Sequence, residues 1–526
     1  MAPRNDSARL ETRSASHSVV WFKRDLRVDD HAALSQAAAA GLVVGLYVYE
    51  PDVLEAAEHD PAHLVFVNEC LQELRAELRR RGSELLIRRG SIPQVLEELR
   101  TELPFDTLWS HEECGLAATY ARDRRVAKWC RGASVRWIER PQHGVVRPLR
   151  QRDGWAKIWH ERMSATIFES PAWLTPPSTL SRIAPGEICG TNELGLPESE
   201  MTEAQRGGAS EGIATLRSFL DDRGIEYQGD MSSPVEGWTS CSRLSPHLAY
   251  GSISLRRVYQ ACRDRRRALT PQERRTNWSK SLHSFEKRLR WHCHFTQKLE
   301  DEPEIEFRNF NRAYDGLRQE DSTEWSDRER QFFEAWCEGR TGYPLVDACM
   351  RILRRTGWVN FRMRAMLMSF ASYHLWLHWR PTGQFLARRF LDFEPGIHYS
   401  QCQMQSGVTG INALRIYSPI KQVVDQDPEG VFIRRWVPEL ESVPSEHLPQ
   451  PEKMTPMEQR MASVEIGVDY PAPIVDHATA YREARQRMFS VRRSPESRSE
   501  AQRVYQRHGS RRRPSPRRKS TRSAPR

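Results

Sequence analysis

At 526 residues the chain is longer than a single hydrophobic core organises, so two or more domains are expected. It holds no run of apolar residues long enough for a membrane helix, and the opening MAPRNDSARLETRSASHS lacks the apolar stretch of a secretory signal, so the cytoplasm is the expected compartment and no membrane partner is expected. The formal charge of +10 suggests nucleic acid until it is divided along the chain: residues 492–526 carry thirteen Arg/Lys against two Glu, which leaves residues 1–491 near −1.

Residues 18–50 read as a β-branched run, a polar turn, an Ala-rich helix and a second apolar strand, a β-α-β unit. A long amphipathic helix follows, with Leu64, Phe66, Val67, Cys70, Leu71, Leu74 and Leu78 on one face, then Gly82 and a strand at 85–88. Another helix and strand come at 95–99 and 107–110, and a fifth strand at 134–139. This alternation predicts a parallel, Rossmann-like α/β domain over 18–145 with both sheet faces covered. No G-x-G-x-x-G follows the first strand, so a standard dinucleotide site is not expected there.

Five prolines among Ser, Thr, Gly and Glu in 171–210 mark a linker or a long surface connection, and residues 146–210 are taken as the linker. Beyond it the periodicity is helical, which predicts an all-α domain over 211–490. Within that domain Ser242, Arg243 and Ser245 open a helical segment before Pro246, a place for hydroxyl and backbone donors to meet a phosphate, although S-R-L-S-P alone also reads as a plain helix cap. Thr341-Gly342-Tyr343-Pro344 offers a capping hydroxyl and a first-turn proline to a helix that buries Leu345, Val346, Cys349, Met350, Ile352 and Leu353 and stops at Thr356-Gly357. A second helix is expected from 358 to 379, ending before Pro381. It carries Arg362 and Arg364 among apolar neighbours, and buried arginines demand anionic partners.

Ten cysteines are scattered from Cys70 to Cys402 without a C-x-x-C pair, so reduced thiols and no metal are expected. Residues 491–526 have the low hydrophobicity and high charge of a disordered segment, and their cations predict a non-specific nucleic-acid arm.

Four stretches resemble the photolyase/cryptochrome family: VVWFKRDLRVDDHAAL near the start, SRLSPHLAYGSIS at 242–254, TGYPLVDACMRILRRTGWVNFRMRAMLMSF at 341–370, and RIYSPIKQ with DPEGVFIRRWVPEL near the end. The resemblance spans residues 18 to about 440 and implies an antenna-type α/β domain ahead of an all-α domain that binds FAD. It implies that Tyr227, Thr239, Cys241, Ser242, Arg243, Leu244 and Ser245 line the phosphate end, and that Arg364 and Asp392 bracket the flavin ring. Glu394 stands where a second aspartate is usual, and His398 falls near the position facing the reactive flavin nitrogen. Trp336 and Trp379 match the outer and middle members of a three-tryptophan electron chain. The inner position aligns with about Cys402, so the route is broken or passes through Trp376, Trp358 or Tyr399. A cluster of iron and sulfur, present in some members, is not expected.

For DNA, the resemblance implies that Trp291 stacks on an extruded lesion and that Arg362 contacts the strand. Against this, Arg288 replaces a lesion-binding glutamate, Met231 an arginine, Phe361 an asparagine, and about Met404 a second tryptophan. The expected function is light-driven repair of pyrimidine photoproducts in single- or double-stranded DNA by a deoxyribodipyrimidine photolyase. The alternatives are a cryptochrome-like photoreceptor and, third, a flavin-bearing nucleic-acid protein without photochemistry. The α/β domain leaves room for a second antenna chromophore whose identity the sequence does not give.

Overall fold

The computed structural model describes residues 16–509. Strands and helices alternate at first: β1 (Ser16–Trp21), α1 (Ala32–Ala40), β2 (Gly41–Tyr49), α2 (Pro61–Arg80), β3 (Leu85–Arg89), α3 (Ile92–Glu102), β4 (Thr107–His111), α4 (Ala117–Gly132) and β5 (Arg136–Arg140). The strands form one parallel sheet in the order β3-β2-β1-β4-β5, with Val20 opposite both Gly45 and Trp109. Side chains alternate across a pleated strand. Val20 and Phe22 therefore enter one core with Leu34 of α1 and Leu71 of α2, while Val19 and Trp21 enter the other with Leu96 of α3 and Val126 of α4. Two covered faces explain the continuous apolar run of the central β2, whereas the edge strand β5 keeps Arg136, Glu139 and Arg140. The strand order reverses between β1 and β4, which opens a crevice beyond their carboxyl ends.

The segment expected as a linker or a long surface connection is bound along this body. It contains α5 (Trp155–Ser164), whose Trp159 is fully buried, and an extended strap whose backbone pairs with the sheet side: Val43 N–H to Thr175 O (2.9 Å), Leu174 N–H to Arg81 O (2.7 Å) and Ile87 N–H to Pro185 O (2.7 Å). Prolines suit such a strap, because they lack a donor but keep their carbonyl.

The rest is helical: α6 (Ala209–Asp221), α7 (Ser245–Ala249), α8 (Leu255–Ala268), α9 (Trp278–Asp301), α10 (Asp327–Glu338), α11 (Pro344–Thr356), α12 (Phe361–Ser369), α13 (Trp379–Arg389), α14 (Pro395–Gln405), α15 (His477–Arg492) and α16 (Pro495–His508), with short helical turns between them. Among the described residues past 211 there is no strand, only an isolated bridge between Ile466 and Tyr470, and no described helix is long and apolar enough to cross a membrane.

Three local expectations are corrected. The helix expected from 358 to 379 is two: α12 runs into a π-turn at Phe370–His374, Trp376 takes a left-handed φ of 59°, and α13 begins anew with His378 capping the Arg380 N–H. Pro381 therefore sits in a first turn, where its missing N–H costs nothing, instead of ending a helix. At α11 the Thr341 hydroxyl accepts the Tyr343 N–H and donates to Asp347, which also gathers the Thr341 and Gly342 N–H groups and the Tyr470 phenol. Finally, the first part of the segment expected to be disordered is α16. Its Val504 and His508 are each 1% exposed, because His508, Arg503 and Arg507 close on the buried carboxylate of Glu302. Residues 510–526 of the expected arm lie outside the described residues.

Candidate flavin site and nucleic-acid rim

α12 and the loop before α14 bring together two groups far apart in the chain. Arg364 Nη1 and Nη2 donate to the two oxygens of Asp392 at 2.8 and 2.9 Å, and Arg364 Nε donates to Val359 O at 2.8 Å. The bidentate geometry fixes the guanidinium plane, and the Phe390 ring lies 4.1 Å from it. Burial raises the Asp392 pKa, but the Arg364 charge and hydrogen bonds from Arg364 and Ser245 outweigh burial and hold it below the usual carboxylate range. Ser245, the first residue of α7, is among the groups that hold this carboxyl low, so the two ends of the expected site are neighbours.

At the other end Arg243, at a left-handed φ of 58°, lies between the Trp238 and Trp358 rings, 4.1 and 4.0 Å from their centroids. Its Nε is buried without a hydrogen-bond partner, and burial brings its pKa down to about 10, so the group stays charged. The Arg288 charge of α9 tempers the burial that lifts the Tyr227 phenol, and Arg288 Nη2 lies 3.5 Å from Met231 Sδ. Among the described residues neither arginine makes an ion pair. Arg243, sheltered and without a carboxylate, suits an anionic group such as a diphosphate.

The other residues expected at the phosphate end divide. Arg223 holds the carbonyls of Thr239, Cys241 and Ser242, fixing the loop. The Thr239 hydroxyl is exposed and spent on Glu236 O, and the Leu244 side chain is core, so these two offer backbone alone. Burial pushes the Cys241 thiol up to about 12. Glu394 does not join the Arg364 pair. Burial lifts it to about 7 against the pull of Arg24, and His292 Nε2 stands 3.9 Å away.

His398 Nε2 donates to Gly383 O at 2.8 Å, so in the neutral ring Nδ1 is an acceptor; burial takes its pKa down to about 4. Its ring packs among Phe390, Phe393 and Tyr399. Trp336 and Trp379 are both 0% exposed, so the expected outer tryptophan does not reach the surface.

On the outside, Trp291 and Phe361 are 42% and 47% exposed, with the Arg288 guanidinium 4.4 Å from one ring and 5.7 Å from the other. Arg362 donates to the Ser232 hydroxyl at 3.4 Å. In the crevice of the sheet, Asp25, His31 and His111 place ligand-type atoms within 4.8 Å of one another. His31 Nδ1 accepts the Leu34 N–H, which puts its proton on Nε2, aimed at Asp25 Oδ2, the same oxygen that His111 Nδ1 meets at 2.8 Å.

Residues 18–156 match the model described as DNA photolyase, and residues 285–490 match that of the FAD binding domain of DNA photolyase. A cryptochrome DASH of Natronomonas pharaonis is 30% identical over 493 residues, covering 88% of this chain and 99% of its own. The chain belongs to the photolyase/cryptochrome family. A deoxyribodipyrimidine photo-lyase of Synechococcus is 29% identical, with 88% and 94% covered. A crystal structure of a class III photolyase from Agrobacterium tumefaciens superposes with a TM-score of 0.80 at 25% identity, covering 93% of this chain and all of that one. The Trp238–Arg243–Trp358 stack had no signal in sequence spacing, because its members are brought together only by the fold.

Proposed function

We propose that the protein is an FAD-dependent photolyase that repairs pyrimidine photoproducts in DNA under blue light. The observation that carries this reading is the rim, where two exposed aromatic rings flank the Arg288 cation beside the buried Arg364–Asp392 couple. Such a rim gives extruded bases a face to stack on and a phosphate a cation to meet. FAD, when bound, supplies a light-driven electron to the lesion. Arg364, Asp392 and Ser245 hold the ring end, Arg243 and the Ser242 loop meet the diphosphate, and Trp291, Phe361 and Arg362 seat the strand. The crevice lined by Lys23, Glu50, Glu113 and Arg122 is where we place a second antenna chromophore. Residues beyond His508 serve as the nucleic-acid arm.

A photoreceptor without repair is the second reading. It is favoured by Arg288, which replaces the glutamate expected to bind the lesion and lies over the exposed Trp291 ring. The two are separated by illuminating the protein with reduced flavin in the presence of oligonucleotides bearing a cyclobutane dimer or a (6-4) product, in single and double strands. Chromatography is expected to show loss of at least one lesion. Lesions that persist in every case leave the photoreceptor.

A further inference from the structure

The position expected to hold the inner tryptophan is Cys402, a thiol 3.4 Å from His398 Nε2. Three residues earlier on the same face of α14, the Tyr399 ring lies 6.0 Å from that of Trp379 and is itself 1% exposed. An aromatic ring that loses an electron in a buried place becomes a cation unless a proton leaves with the electron, so what matters is which ring has a base. Trp336 Nε1 has no partner, and Trp379 Nε1 donates to the amide oxygen of Asn309 at 2.7 Å, a very weak base. The Tyr399 phenol donates to the carboxylate Oε1 of Glu58 at 2.5 Å. That oxygen also takes a hydrogen bond from Gln384 Nε2 at 3.3 Å, and the Glu58 side chain lines a cavity of about 150 Å³ between the α/β body and the helical one.

We propose that Tyr399 is a redox-active residue of the light reaction, with Glu58 as the acceptor of its proton. This rests on the reading of the chain as a flavin photoprotein. In the step, one electron leaves the Tyr399 ring for the photoexcited oxidised flavin, passing to it directly or by way of Trp379. The phenolic O–H bond breaks and the proton bonds to Glu58 Oε1, which leaves a neutral tyrosyl radical and an uncharged Glu58. A thiol reductant in the solvent returns the electron, and the proton goes back from Glu58 to the phenol oxygen. The geometry meets the requirement of a base within hydrogen-bond reach before any proton moves. Burial and the neighbouring Glu58 hold the Tyr399 phenol well above its ordinary pKa, so it is protonated until the electron departs. Charge recombination then has to wait for the proton to return, which lengthens the life of the separated charges.

The flavin-loaded protein, oxidised and illuminated in a thiol buffer, tests this by electron paramagnetic resonance and transient absorption. A neutral tyrosyl signal is expected. Its hyperfine pattern collapses in protein grown on ring-deuterated tyrosine, and it forms more slowly in D2O. Tyr399→Phe abolishes the signal while flavin content per chain stays the same, and Glu58→Gln shortens its life on the order of a hundredfold. A wild-type protein that holds flavin but shows tryptophan radicals alone, or a tyrosyl signal that survives Tyr399→Phe, overturns the proposal and leaves the flavin reading standing. Protein that takes up no flavin overturns the flavin reading itself.

Discussion

Burying an arginine without a carboxylate costs several kcal/mol, on the order of what a broken buried ion pair costs, and the chain does so at Arg243 while pairing Arg364 with Asp392. From residue types alone the arginines could be read as needing anions, and the resemblance supplied Asp392 as one of them. The sandwich around Arg243 was not legible, because aromatic partners that meet only in the folded chain leave no periodic trace. Glu394 shows what the same enclosure does to an acid. Its pKa is lifted by burial from the ordinary value to about 7, so between roughly pH 4.5 and 7 the folded state holds a proton that the unfolded state has released. Stability contributed by the neutral form is present below that window and is lost as pH rises through it. Glu394→Gln keeps the neutral form at every pH. Its stability in denaturant titrations is expected to gain roughly 2–3 kcal/mol on wild type between pH 5 and pH 8, and parallel pH profiles for the two proteins would contradict the enclosed, unpaired carboxyl.

Elements were legible where a periodic apolar face runs to a clear stop. The five strands follow the predicted order within about two residues at each end, the helix read at 95–99 runs three residues further each way, and the helix over 117–132 was not named. The break after Phe370 was missed because both halves are apolar, and what ends α12 is a π-turn and a left-handed tryptophan, neither of which has a sequence signature. The crossing of α9 and α14 is also a matter of shape. A Cβ on Gly396 would lie 2.6 Å from Thr296 Cα, a backbone atom that cannot swing aside. α14 carries His398, Tyr399 and Cys402, so its distance from α9 sets the width of the cage. Gly396→Ala is therefore expected to push the helices apart at a cost of about 1–3 kcal/mol, read as a lower melting temperature together with weaker flavin retention. A melting temperature equal to wild type would show that the crossing tolerates a methyl group.

On the scale of the whole molecule, composition located the charge correctly and its structural consequence only in part. The first Arg-rich stretch is not a free arm: α16 docks by burying Val504 and by bringing His508, Arg507 and Arg503 to Glu302, whose combined attraction, set against burial, brings that carboxyl down to about 2. Hydrophobicity and net charge averaged over a segment miss such an arrangement, because the compensating acid belongs to another element. Cations spent on Glu302 are not available to phosphates, so the arm's electrostatic reach is assigned to the residues after α16. Residues 510–526 contain eight Arg/Lys and no acid. Each phosphate they neutralise steepens the fall of log affinity against log salt by about 0.9 on duplex DNA. A chain ending at Gly509 is thus expected to keep its fold and flavin content, to bind undamaged duplex more weakly at low salt, and to show a slope shallower by about 0.9 for every phosphate left unneutralised. Fluorescence anisotropy across a salt series reads both quantities. A truncated protein with the full-length slope would assign phosphate binding to the helical body, with Arg288 and Arg362 at its rim as the first residues to substitute.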